Sequence, residues 1–197
     1  MRVDESLYEK LVRKPLVDLL QSNCFDFELL PQRESSSDWY RIVPDQKFSI
    51  FAAEGCGGHF LTLVKTGHIV YVDTEGSAGI VAANLMEFIS LMLAFPYWQD
   101  LLHFSGNGRL DAMIETGEII AATQDEEPDE GEFSLAELRL AIRSHLGISS
   151  GNDEIEKLHA AVSNSSKIVS VFANDGSAYA SLFNHFVASD NPMWRSN

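Results

Sequence analysis

Between Lys47 and Leu102 three short β-type runs, separated by glycine-bearing turns, lead into one long apolar helix. That order leaves few folds open. Phe48, Ile50 and Ala52 alternate with Ser49, Phe51 and Ala53, so the first run is apolar enough to be buried on both faces. Glu54-Gly55-Cys56-Gly57-Gly58 follows as a turn, because glycine supplies a positive φ without a steric cost. Phe60, Leu61, Leu63 and Val64 make the second run, and Thr62 suits a pleated surface. Thr66-Gly67 is a hairpin turn, and Ile69 to Val72 must return antiparallel, since so short a connection cannot form a parallel crossover. Asp73 to Gly79 reads as a polar loop. Asn84 is placed to cap the next helix, with Glu87 three residues on. Leu85, Phe88, Ile89, Met92 and Leu93 give the stripe of a core-facing helix. Pro96 ends or kinks it, and Tyr97 to Leu102 resumes as a second short helix. Phe88 and Trp98 are expected in the core. The class predicted is α+β: an antiparallel sheet with helices packed on one face, plus an α-rich C-terminal extension.

Around this segment, Glu5 to Leu20 reads as an amphipathic helix with Pro15 at a kink. Cys24 to Pro31 alternates weakly, as an extended segment would, and Arg33 to Asp38 is a polar loop. Met113 to Thr123 reads as a helix cut by Gly117. Ser134 with Glu137 forms a capping box that opens a helix from Leu135 to Leu146, closed by Gly147. Asn152 is expected to cap Asp153 to Val162. Lys167 to Phe172 is β-branched and reads as a strand, with a buried helix as the alternative. Ser177 to Val187 reads as a last helix. The expected organisation is a core over residues 1–110 and an acidic loop with helical extension over 111–197, packed on it as one unit.

The four motif pieces Phe51-Ala52-Ala53-Glu54-Gly55, Gly58-His59-Phe60, Val70-Tyr71-Val72-Asp73 and Asn84-Leu85-Met86-Glu87-Phe88-Ile89 together resemble the SUKH superfamily. That group is known from yeast cell-wall-assembly regulators and bacterial immunity proteins. The resemblance spans Trp39 to Leu102, and after Gly106 the chain departs from it. It implies an α+β domain without a catalytic site that neutralises a secreted toxin, often a nuclease, by protein–protein binding. The alternative reading is a cytoplasmic regulatory or scaffold protein of the same fold.

The net charge of −15 is concentrated. Asp111, Glu115, Glu118, Asp125, Glu126, Glu127, Asp129, Glu130, Glu132 and Glu137 fall in a segment with no base. From Gln124 to Glu132 there is no apolar residue, so this centre should be a solvated loop. Such a balance argues against nucleic acid or an anionic membrane as partner, because both demand clustered Lys and Arg. It suits a basic protein partner such as a nuclease toxin. Asp125, Glu126, Glu127, Asp129, Glu130 and Glu132 are therefore the candidate partner-binding residues, against the plainer reading of a solvated connector.

No residue set points to catalysis or to a cofactor. Cys56, three residues before His59, is the nearest approach to a nucleophile and base, but a glycine-rich turn explains it better. The six histidines show no spacing that puts two ligands on one helix face or strand, so no metal is expected. The glycine-rich turn joins two strands and lacks a Lys-Ser/Thr ending, unlike a phosphate loop. Cys24 and Cys56 are too far apart to suggest a disulfide and read as two mostly buried free thiols. The opening residues MRVDESLYEKLVRK carry no apolar run, and no stretch reaches the ~18 apolar residues of a membrane span, so a cytoplasmic location is expected.

Overall fold

The structure, a computed structural model, describes residues 3–21, 25–123, 133–149, 151–183 and 186–187. Its strands are β1 (Glu28–Glu34), β2 (Tyr40–Val43), β3 (Phe48–Ala53), β4 (His59–Leu63), β5 (Ile69–Val72), β6 (Ala78–Ala82) and β7 (Ser170–Ala173). Its helices are α1 (Val3–Leu11), α2 (Leu16–Leu20), α3 (Leu85–Ala94), α4 (Trp98–His103), α5 (Leu110–Thr123), α6 (Leu135–Leu146) and α7 (Glu154–Asn164). Five strands form one antiparallel sheet in the order β1-β3-β4-β5-β6, and β2 and β7 pair antiparallel as a second, small sheet. The three-strand meander from Phe48 to Val72 and the helix after Asn84 are as the sequence predicts.

Alternation along the strands splits the core in two. Phe60 on β4, Ile69 and Tyr71 on β5 and Val81 on β6 face the helices, beside Phe27, Phe88, Trp98 and Met113. Leu61 and Leu63, Val70 and Val72, and Ile80 face the other way, against Tyr40 and Ile42 of β2 and Val169 and Val171. A sheet buried on both faces needs two covers. Helices supply one and the β2–β7 pair supplies the other. Half of that second cover comes from the C-terminal region, so β7 is built into the core.

The two cap signals in the sequence differ in outcome. At α6 the Ser134 side chain accepts from the Glu137 N–H while the Glu137 carboxylate accepts from the Ser134 N–H, and Gly147 ends the helix at φ 69°. At α3 the Asn84 side chain accepts from the Glu87 N–H at 3.0 Å, but the Glu87 carboxylate reaches one residue further back, to the Ala83 N–H at 3.1 Å. The Phe95-Pro96-Tyr97 break then opens α4. Arg139 of α6 donates to the free carbonyls of Leu93 and Ala94 at 2.6 and 2.8 Å, so a side chain from the extension closes the end of α3.

Several expectations are corrected. Glu5 to Leu20 is two helices, split at Pro15, whose missing N–H and ring cannot continue the ladder. The extended segment is displaced from Cys24–Pro31: β1 starts at Glu28 and runs on through Arg33 and Glu34, the first two residues of the expected loop. Asp73 to Gly79 is not all loop. β6 starts at Ala78, and a Cβ on Gly79 would lie 3.1 Å from Leu182, so glycine admits the covering segment there. Gly117 does not cut α5, which is continuous for 14 residues. A Cβ there would come within 2.5 Å of Ile155, so the glycine lets α7 approach. Asn152 is not the cap of α7; Asp153 is, without a side-chain bond. Lys167 begins no strand: Ser165–Lys167 is a 3-10 turn and β7 starts at Ser170. Ser177 to Phe183 is not helical. It lies extended, with Ala78 N–H donating to Ala180 O at 2.9 Å and Ala180 N–H to Gly76 O at 2.7 Å, closing the outer edge of β6. Cys56 is exposed in its turn rather than buried, and Cys24 lies outside the described residues. Among the described residues no helix is long and apolar enough to cross a membrane.

Candidate functional site

The β3–β4 turn is built around Glu54. Its N–H donates to Gly58 O at 3.0 Å and its carbonyl accepts from Gly57 N–H at 2.9 Å. Gly57 holds φ 92°, open only to glycine at low cost. The Glu54 carboxylate folds back over Gly58, where a Cβ would stand 2.6 Å from Oε1, and lies near the Tyr71 hydroxyl. The acid-glycine turn and the tyrosine of β5 are therefore one structural unit.

Two more carboxylates join it from distant segments. Asp26, at φ 39° in the left-handed region that Asp tolerates, accepts from the Gly55 N–H at 2.8 Å. Asp100 comes from α4. Asp26, Glu54, Tyr71, Pro96, Tyr97, Gln99 and Asp100 line a shallow cavity of about 360 Å³. Burial raises the Glu54 pKa, opposed by the hydrogen bonds from Tyr71 and Gly58 and reinforced by the charges of Asp26 and Asp73. Burial also raises that of Asp100, opposed by His103. Burial, with the Glu54 charge and its hydrogen bond, drives the Tyr71 phenol well above its ordinary value, which leaves it a fixed donor. Tyr97 stands at the rim, 58% exposed. The arrangement suits a cation: three carboxylates line the cavity and an exposed aromatic ring stands among them. Among the described residues no group of three or more His, Cys, Asp or Glu side chains is placed to hold a metal ion.

Asp73 serves the scaffold instead. Its carboxylate accepts from the N–H groups of Glu75 and Ser77 at 2.9 and 2.7 Å and shapes the β5–β6 turn. His59 turns to the opposite face, where its Nδ1 lies 3.3 Å from the Tyr40 hydroxyl and its ring packs on Trp39. It is therefore not oriented as a base for Cys56. Burial holds its pKa below the ordinary 6.5, while Glu34 pulls the other way. The unfolded chain accepts a proton that folded His59 resists. The stability contributed by the neutral ring is thus complete above about pH 6.5 and lost as pH falls through that value toward the folded pKa. We expect wild type to lose more stability than His59→Gln between about pH 7.5 and about pH 5.5, read as urea midpoints. Equal losses would show that His59 does not carry this dependence.

The acidic residues singled out from the sequence, Asp125, Glu126, Glu127, Asp129, Glu130 and Glu132, lie outside the described residues. Asp26 and Asp100 carried no sequence signal as site residues, and Tyr97, which beside Phe95 and Trp98 reads from the sequence as core rather than as a ligand box, is exposed instead. Asp26 is far from the Tyr97–Asp100 segment in the chain, and the two meet only in the fold. No protein-family model, no curated protein and no solved structure matches this chain.

Proposed function

We propose that this chain is a non-enzymatic binding protein of the SUKH-like immunity type, which neutralises a basic bacterial toxin by covering its active face. The observation that carries this reading is the cavity that Asp26, Glu54 and Asp100 line beside exposed Tyr97. A lysine or arginine from a partner fits there, and a half-exposed tyrosine at the rim is the kind of residue that anchors an interface. The net charge of −15 adds long-range attraction to a basic surface. In this mechanism the acidic segment around Asp125 to Glu132 steers encounter, and the Tyr97 cavity holds the complex.

The test is co-expression with a toxin domain encoded beside this gene, followed by association kinetics at two salt concentrations. Replacing Asp125, Glu126, Glu127, Asp129, Glu130 and Glu132 by Ser or Asn should lower the association rate about tenfold at low salt. The difference should shrink at physiological salt, where exposed charges are screened over about 8 Å. Tyr97→Ala should act on dissociation instead. Unchanged toxicity on co-expression would overturn the immunity reading, and binding to a non-toxic neighbour would favour the regulatory or scaffold alternative.

A further inference from the structure

A second cleft shares no residue with the Glu54 cavity. It lies between the start of β6, the loop at 107–108, the end of α7, β7 and the closing segment 178–183. Its volume of about 460 Å³ falls inside the ~300–1,000 Å³ of small-molecule sites. Two glycines let the closing segment come near: a Cβ on Gly79 would stand 3.1 Å from Leu182, and one on Gly108 would stand 2.8 Å from the Phe183 ring. The walls are held from behind. The His159 ring packs on Phe183 at 5.6 Å, and its Nε2 lies 2.9 Å from Gly108 O. The Arg41 guanidinium sits 4.8 Å from the Phe172 ring. Asn107 stands at φ 68°, a left-handed position that asparagine tolerates, and the Gly108 N–H beside it is fixed on Ser105 Oγ at 3.1 Å.

Ser165 sets the chemistry. It lines the cleft and is only 7% exposed. Its Oγ accepts from the Ile80 N–H at 2.9 Å, which leaves the hydroxyl proton to donate, and no protein group among the described residues takes it. A buried hydroxyl normally uses that proton, so the cleft holds a donor that calls for an oxygen acceptor. Ser163, Ser166, Ser170 and Asn107 line the same space, and their side chains make no hydrogen bond to the described protein. No charged side chain lines it, in a chain of 29 acids and 14 bases. A charged ligand would lose its water there and gain no ion pair. Hydroxyls and an amide both donate and accept, so their complement is a neutral molecule whose groups do both. The aromatic residues Phe172, Tyr179 and Phe183 favour a frame with an apolar C–H face. A sugar ring meets both demands. A peptide unit offers only one donor and one acceptor.

We propose that this cleft binds an uncharged monosaccharide, with Ser165 donating to a sugar oxygen and the Asn107 amide engaging the hydroxyls. The proposal does not rest on the protein-binding reading, and its test needs no partner. The full chain would be titrated with methyl glucoside, methyl galactoside, methyl mannoside and N-acetylglucosamine, following the backbone amide resonances of Asn107, Ser165, Ser166 and Tyr179. At least one sugar is expected to give saturable shifts with a Kd on the order of 1 mM, and cyclohexanol, which keeps a ring and a single hydroxyl, to bind at least about tenfold more weakly. Asn107→Gly suits the backbone of that position and removes the amide. It should weaken sugar binding about tenfold while the thermal midpoint holds. Ser165→Ala should abolish binding. Because it also strips the Ile80 N–H of its acceptor, Asn107→Gly decides the matter if that variant fails to fold. No saturable shift with any of the four sugars would overturn the proposal. So would cyclohexanol binding as tightly as the best sugar, or full affinity for that sugar in Asn107→Gly. Tighter binding of N-acetyl-alanine N-methylamide than of any sugar would give the cleft to a peptide and overturn it too.

Discussion

Trp98→Ala is expected to cost on the order of 3–5 kcal/mol, because it removes a large side chain that nothing nearby can replace. Trp98 is 1% exposed. Its ring meets Tyr71 edge-on at 5.3 Å, Phe88 at 5.9 Å and Phe60 at 6.2 Å, so one residue ties α4 to α3 and to two central strands. Neighbours held by sheet pairing cannot collapse into the space, and a cavity term adds to the lost burial. Phe88, fully buried in the same cluster, should behave alike. Urea unfolding of each variant measures this directly. A shift below about 1 kcal/mol would mean that the helix layer repacks freely. The Glu54 cavity should suffer too, because Tyr71 and the α4 residues that line it both lean on Trp98.

Val171→Asp should be comparably severe, on the order of 3–5 kcal/mol, as an unpaired charge in the second core. Val171 is 4% exposed and sits opposite Ile42 in the β2–β7 pair, against Ile50, Leu61, Val70 and Val72. This substitution asks whether the C-terminal region is an appendage or a cover. If β7 were dispensable, the variant would unfold at nearly the wild-type urea midpoint, with the larger sheet intact. The expected outcome is a single cooperative transition at much lower denaturant, because exposing the inner faces of β3, β4 and β5 leaves a sheet with only one protected side. Val171→Ala should cost less and keep that single transition, which separates lost packing from buried charge.

The meander was legible because its signals are local. Apolar alternation sets strand faces and glycine sets the turns, within a few residues of each other. Asn84 and the Ser134–Glu137 pair were legible for the same reason, since a cap is an interaction across three positions. The errors share the opposite origin. Gly117 looks like a helix breaker by propensity, but its role is to admit Ile155 from another helix. Ala78-Gly79 look like loop, yet pairing with β5 on one side and Ala180 on the other makes them strand. Ser177 to Phe183 has the composition of a helix and is held extended by bonds to Val171, Ala173 and Gly76. In each case a distant partner overrides the local preference.

The candidate sites divide in the same way. Sequence alone determined the α+β class, the antiparallel meander, the core positions of Phe88 and Trp98, the strong acidity and the turn that presents Glu54. It could not bring Asp26 or Asp100 to that turn, because the 29-residue separation between Asp26 and Gly55 carries no pattern. Nor could it separate Glu54, which faces a cavity, from Asp73, which shapes a turn. Those distinctions depend on burial and on which backbone N–H groups a carboxylate meets. Both are properties of the packed chain, and only the tertiary structure decides them.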